Sequence, residues 1–560
     1  MKKIPLSLSV FSFITILFFG AITFAAAVKQ WEVFDLQMTA QNNYSNPYVD
    51  GLPEEGKGLV QVTFTGTEGE AQGKRYVMTG FWDGGNNWRV RFAPPYTGTW
   101  SYTSISNDPG LNGNSGTITS AKWTVDEMKA NPARRGFVRV CKTGKRSGRY
   151  FEYADGTPFL WIGDTWWNWT KRGIYFSSFK KMADDRASKG FTVGQLFLAG
   201  NGWGRISSLL DPSCTVLDVA HMQKVDSMVA YANTKGITVW IHGWWSRRDL
   251  DKTVGAEKMK RYWRYLVNRF ASYNVIWVLA GEYNMDNYGG LGVQFWKDLG
   301  KLIKSEDPYD RIVSAHPTPP AWSGGAEAPQ WSTGEVLHNE AWLDYNQSQV
   351  GHGKWRNEMI PVVISENYAR VPWKPIVVTE PWYEFIKGNP PAEDIRFGGW
   401  SAILSGAAGH SYGGGHVWKA HVPEAPAGKD NWPMEMGFES NTLDYPGALQ
   451  IGYMSSFLRG ISWWELEPHQ DLLLEYSGGY CAAVPGKEYV IYVRWGGSLK
   501  VNLNPSTTND IFEYLWFDPA TGKTLRTGTV FGGSNQTFNA PSDYPSAQNY
   551  RDMVLHLIKK

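Results

Sequence analysis

From position 135 to position 455 the chain alternates between two hydrophobic periods. Short, nearly unbroken apolar runs read as strands buried on both faces: Phe159–Gly163, Val193–Leu198, Thr238–His242, Val275–Ala280, Ile312–Ala315, Trp342–Asn346, Ile376–Thr379 and Ala407–Ser411. Between them run stripes of helical period: Met222, Val225, Val229 and Ala232; Met259, Trp263, Leu266 and Phe270; Phe295, Leu299 and Ile303. Eight strands with helical crossovers predict a (β/α)8 TIM barrel. A doubly wound open sheet is the alternative, but no Gly-rich dinucleotide or phosphate loop follows the first strand. No cofactor is expected.

Both flanks change rhythm. From 28 to 128, alternating runs such as Leu59-Val-Gln-Val-Thr-Phe64, Arg75-Tyr-Val-Met78 and Trp88-Arg-Val-Arg-Phe92 are parted by Gly-, Asn- and Pro-rich turns. That spacing predicts an N-terminal β-sandwich. Its Gly80–Trp88 turn carries two Trp, for which core packing outweighs ligand contact. From 460 to 560, Tyr489–Arg494, Ile511–Trp516 and Met553–Leu557 predict a second, smaller β-sandwich. The expected chain is therefore multidomain, a barrel over 135–455 between two β-sandwiches.

Composition narrows the function. Lys2 and Lys3, the apolar stretch Ile4–Phe24 and Ala25-Ala26-Ala27 read as an export signal over 1–27. A membrane anchor is the alternative, because the stretch approaches spanning length. With the signal removed, 53 basic residues face 53 acidic ones, which gives no case for nucleic acid or an anionic membrane. The protein is expected to be secreted or periplasmic, with no integral membrane segment after cleavage. Cys141, Cys214 and Cys481 are too scattered for a disulfide framework or a metal site. The 29 Trp, 28 Tyr and 26 Phe suit a protein that holds sugars, or a large β-rich core.

Two runs carry the candidate chemistry. Val275-Ile-Trp-Val-Leu-Ala-Gly-Glu282 and Pro375-Ile-Val-Val-Thr-Glu380 are buried strands that each end in a glutamate, the fourth and seventh of the barrel. Barrel enzymes keep their chemistry at that end. A pair of carboxylates there suits the acid/base and nucleophile of a retaining glycosidase. The plainer reading pairs each Glu with a nearby Arg or Lys; two such ends in an aromatic-rich barrel favour catalysis.

Four segments give a specific resemblance. They are Phe159-Leu-Trp-Ile-Gly-Asp-Thr-Trp-Trp167, Val275–Asn284, Gln349-Val-Gly-His352 and Glu380-Pro-Trp-Tyr-Glu384. Together with the order sandwich, barrel, sandwich, they resemble the apiosidase-like glycoside hydrolases, family 140 and its relatives. In these an N-terminal module precedes the barrel and a small β domain named for collagen binding follows it. The resemblance implies Glu282 as acid/base, Glu380 as nucleophile, and retention. Where the family has Gly-Asp this chain has Gly281-Glu282, a methylene longer by about 1.5 Å, so apiose itself is not carried over.

Other strand ends supply candidate substrate contacts: Asp164, Trp166, Trp167, Asn201, Trp203, His242, Trp244, Trp245, His316, His410 and Tyr412; the segments that carry the resemblance add Asn284, Gln349, His352, Trp382, Tyr383 and Glu384. His242, His316 and His410 lie on separate strands without carboxylate-rich spacing, so no metal is expected. Lys171, Arg172, Arg247 and Arg248 suggest an anionic plant or algal polysaccharide as the partner. A polysaccharide lyase and a non-catalytic carbohydrate-binding protein remain the competing classes.

Overall fold

A computed structural model describes residues 26–52, 58–199, 214–320, 330–386, 389–420, 442–476, 478–541 and 552–560. Most of the expected export signal lies outside them. In the middle of the chain eight parallel strands form one sheet: β1 (Trp161–Trp166), β2 (Val193–Phe197), β3 (Thr238–His242), β4 (Val275–Val278), β5 (Val313–Ser314), β6 (Asn346–Gln349), β7 (Ile376–Glu380) and β8 (Gly409–Tyr412). Their order is 5-4-3-2-1-8-7-6. Between β5 and β6 the seam is closed by Asp344 N donating to Val313 O at 3.0 Å and Ser314 Oγ donating to Tyr345 O at 2.8 Å. The result is a nearly closed barrel.

Every strand is buried on both faces, and in β2, β3, β4 and β7 the run is mostly apolar, whereas β6 is the polar Asn346-Gln-Ser-Gln349. Trp161, Val193, Phe197, Trp240, Ile276, Val278, Tyr345 and Val377 fill the lumen. Trp240 Nε1 donates to the Tyr345 hydroxyl at 2.6 Å across it. Truncating such a filled Trp to Ala costs about 3–5 kcal/mol. The lumen's floor is a small sheet of Arg139–Val140, Phe151–Glu152 and Pro158–Phe159. The first strand was expected at Phe159–Gly163; Phe159 belongs to this floor, and the strand runs on to Trp166. The sixth strand, expected at the apolar Trp342–Asn346, shares only Asn346 with that range and runs through the polar Asn346–Gln349.

The N-terminal region pairs a five-stranded sheet with a three-stranded one around Val62, Phe64, Phe92, Trp100 and Ile118. Trp88 is buried in that core, and Trp82 caps its own turn by donating to Gly85 O. Buried ion pairs fasten this region to the barrel's helices: Arg91 to Asp226 at 2.9 Å, and Arg269 to Asp83 at 2.9 Å. The C-terminal region is a six-stranded sheet with a two-stranded one, joined to the barrel by Arg396–Asp552 at 2.6 Å and Arg494–Asp394 at 3.1 Å. Among the described residues no helix is long and apolar enough to cross a membrane.

Candidate active site

The carboxyl end of the barrel gathers two carboxylates from non-adjacent strands. Glu380 ends β7, and both its oxygens are engaged. His316 Nε2 lies 3.1 Å from Oε2, and His352 Nε2 lies 3.3 Å from Oε1. The other nitrogen of His316 lies 3.2 Å from Thr379 Oγ1 and 3.4 Å from Gln347 Oε1, which orients the ring.

A bulge aims Glu380. Ser348 pairs with Val378, and the next residue, Gln349, pairs with Glu380, so Thr379 is the extra residue. Thr379 and Glu380 therefore both reach His316, although strict alternation would send them to opposite faces. Burial pushes the Glu380 pKa up, but the hydrogen bonds and charge of the two imidazoles outweigh it and bring it down to about 2. Glu380 is ionised at neutral and mildly acidic pH.

Glu282 follows β4 with a left-handed backbone, φ +50°, which costs a non-glycine residue about 1–2 kcal/mol. The residue before it must be glycine. A Cβ at Gly281 would stand 2.4 Å from the Trp245 ring, so only a bare backbone lets that indole settle there. Trp245 Nε1 then donates to Glu282 Oε2 at 3.3 Å, and Gln349 Nε2 donates to Oε1 at 3.3 Å. Both are long bonds from neutral donors, unlike the imidazoles at Glu380.

Aromatic rings link the two carboxylates. Trp167 Nε1 donates to the Tyr383 hydroxyl at 2.9 Å, and its ring stacks on His242 and meets Trp245 edge-on. The Trp245 and His316 rings are 6.2 Å apart, so the residue that bonds Glu282 packs against one that bonds Glu380. Tyr383 packs on His352, and burial, then the Glu380 carboxylate, push its hydroxyl well above the usual tyrosine value. Burial and the neighbouring His316 keep His242 neutral. Trp382 joins the same cluster, as does Trp418, which the sequence reading did not single out. Asn284 is buried beside Glu282; its Oδ1 accepts from Thr318 N at 2.7 Å while its Nδ2 has no partner among the described residues.

Six expected contacts are elsewhere. Asp164, Trp166, His410 and Tyr412 lie on the outward face of β1 and β8, where Asp164 and Tyr412 are Cα partners. Asp164 forms a fully buried ion pair with Arg186, Nε to Oδ2 2.5 Å, and Trp166 packs edge-on against Phe179. His410 is buried beside Gly398 of the helix Ala392–Leu404, and burial drops its pKa to about 3. Tyr412 donates to Glu384 Oε2 at 2.8 Å, and Glu384 also accepts from Gly447 N, which opens the helix Pro446–Arg459. Trp244 points into the helical layer and donates to Asp251. All six serve packing or a buried hydrogen bond rather than the lumen. Asn201, Trp203 and the Arg248 side chain lie outside the described residues. Arg247 is exposed, and Arg172 is paired with Asp218 at 2.7 Å.

Three family profiles match the chain. The apiosidase-like catalytic domain covers residues 145–465, more than half of it. A domain of unknown function (DUF5060) covers 27–107, and a module named for collagen binding in a collagenase covers 468–558. Among solved structures, a glycoside hydrolase from Bacteroides vulgatus ATCC 8482 superposes with a TM-score of 0.69 at 18% identity, covering 96% of this chain and 100% of that one. A family 5 glycoside hydrolase from the same organism gives 0.65 at 19%, covering 76% and 94%. These likenesses establish the barrel fold. No curated protein matches the chain.

Proposed function

The chain belongs to the apiosidase-like catalytic family, and from that membership we propose that it is a retaining glycoside hydrolase acting on a plant or algal polysaccharide outside the cytoplasm. The observation that carries this reading is the unlike setting of the two carboxylates. Glu380, ionised between two imidazoles, is the nucleophile. Its oxygen attacks the anomeric carbon as the bond to the leaving oxygen breaks. Glu282, which accepts from the Trp245 indole and the Gln349 amide, is the acid and gives that leaving oxygen its proton. Water then attacks the anomeric carbon, Glu282 takes a proton from it, and Glu380 is released. Trp167, Trp245, Trp382 and Tyr383 bind the sugar ring, with Asn284, Gln349 and His352 offering polar contacts.

The test is to incubate the secreted protein with a panel of plant and algal polysaccharides and to size the products. Reducing sugar appears without an unsaturated, ultraviolet-absorbing product. Such a product would make the protein a lyase, and no product at all would make it a carbohydrate binder.

A further inference from the structure

Beneath the Glu282 loop lies a carboxylate that takes no part in the chemistry above. Asp251, in the helix Arg248–Val254, is fully buried. Its oxygens accept from Trp244 Nε1 at 2.7 Å, Ser246 Oγ at 2.7 Å and Arg247 N at 3.1 Å. These donors flank Trp245 on both sides. The same segment is tied to the residue before the acid, since Gly281 N donates to Trp244 O at 2.9 Å and Ser246 N donates to Gly281 O at 3.0 Å.

Asp251 also supports the far end of the Glu282 loop. Gly289, at φ +64°, packs so closely on it that a Cβ there would stand 1.8 Å from Asp251 Oδ2. Between Glu282 and Gly289 the backbone is left-handed at Asp286, Asn287 and Tyr288 as well. A loop in so many disfavoured conformations holds its shape only if its surroundings impose it.

We propose that Asp251 is a positioning residue for acid catalysis: it fixes Trp245 and the Glu282 loop, and so sets where the Glu282 proton is delivered. This rests on Glu282 being the acid. An ionised carboxylate is an acceptor at every site, so it serves all three donors at once; an asparagine there would turn its own N–H2 towards one of them. Burial raises the Asp251 pKa to about 6 against the pull of those donors.

The test compares leaving groups. For Asp251→Asn, kcat/KM on the polysaccharide that the wild type degrades falls about 10–100-fold, the loss expected from misplacing a catalytic group by an ångström or less. On the 2,4-dinitrophenyl glycoside of the sugar it releases, whose leaving group needs no proton, the loss in kcat/KM is limited to what the shift of Trp245 costs sugar binding and is several-fold smaller. Ser246→Ala, which removes one donor, shows the same split in milder form and decides the matter if Asp251→Asn does not fold. Equal losses on both substrates, or no loss on either, overturn the proposal. A wild type that cleaves no glycoside refutes the hydrolase reading, and this role with it.

Discussion

Gln349 and Glu380 are Cα partners across the pairing of β6 and β7, yet Gln349 sends its amide to Glu282, 3.3 Å away, rather than to Glu380. One residue therefore fixes the lateral relation of the two carboxylates. The bulge beside it turns Glu380 towards His316. The imidazoles at Glu380 and the neutral donors at Glu282 follow from this placement, and so do the outcomes below.

Removing one imidazole from Glu380 weakens the interaction that opposes burial. His352→Ala leaves desolvation less countered, so the Glu380 pKa rises. The acidic limb of the kcat/KM profile moves to higher pH. An unshifted limb contradicts the role of His352.

Gly281 admits the Trp245 ring. In Gly281→Ala the new methyl would stand 2.4 Å from that ring, an overpacking that costs about 1–3 kcal/mol. The melting temperature falls, and activity falls further than in a surface variant of equal stability because Trp245 leaves Glu282. Stability and activity both near wild type would mean that this close approach does not matter.

Glu384 titrates for a structural reason. Burial raises its pKa from 4.5 to about 7. The folded protein therefore holds a proton that the unfolded chain releases, and the stability this gives is complete below about pH 4.5 and lost as pH rises towards 7. Glu384→Gln, which keeps the acceptor for Gly447 N, flattens the fall in melting temperature between pH 5 and 7.5. A slope equal to wild type assigns the titration to another group.

Most of the barrel was legible because strands buried on both faces read as nearly unbroken apolar runs, but the polar β6 was not. That same lack of alternation hid which face is which. Asp164, Trp166, His410 and Tyr412 therefore read as substrate contacts although they face the helices. The partner of Asp164, Arg186, is 22 residues away on a helix with no local signal. The Trp244-Trp245 pair splits between layers, and sequence does not say which member turns inward. His316 was legible as a strand-end polar residue, and Gln349 and His352 through the segment that carries the family resemblance. Thr379 and Gln347, which orient His316, were not, because they sit inside strands.

If the glycan is anionic, exposed Arg247 attracts it. Arg247→Ala then raises KM and flattens its dependence on salt, since screening weakens only charge–charge attraction. An unchanged salt profile removes the case for a charged substrate.

The most direct measurement is azide rescue of the two glutamate variants. Glu282→Ala still forms the glycosyl-enzyme from an aryl glycoside with a good leaving group, stalls, and turns over when azide is added, giving a glycosyl azide of retained configuration. Glu380→Ala is inert towards the same substrate without azide, and with azide it gives at most an inverted product. A retained azide product from the Glu380 variant would exchange the two roles, and inverted sugar from the wild-type enzyme would contradict the retaining mechanism outright.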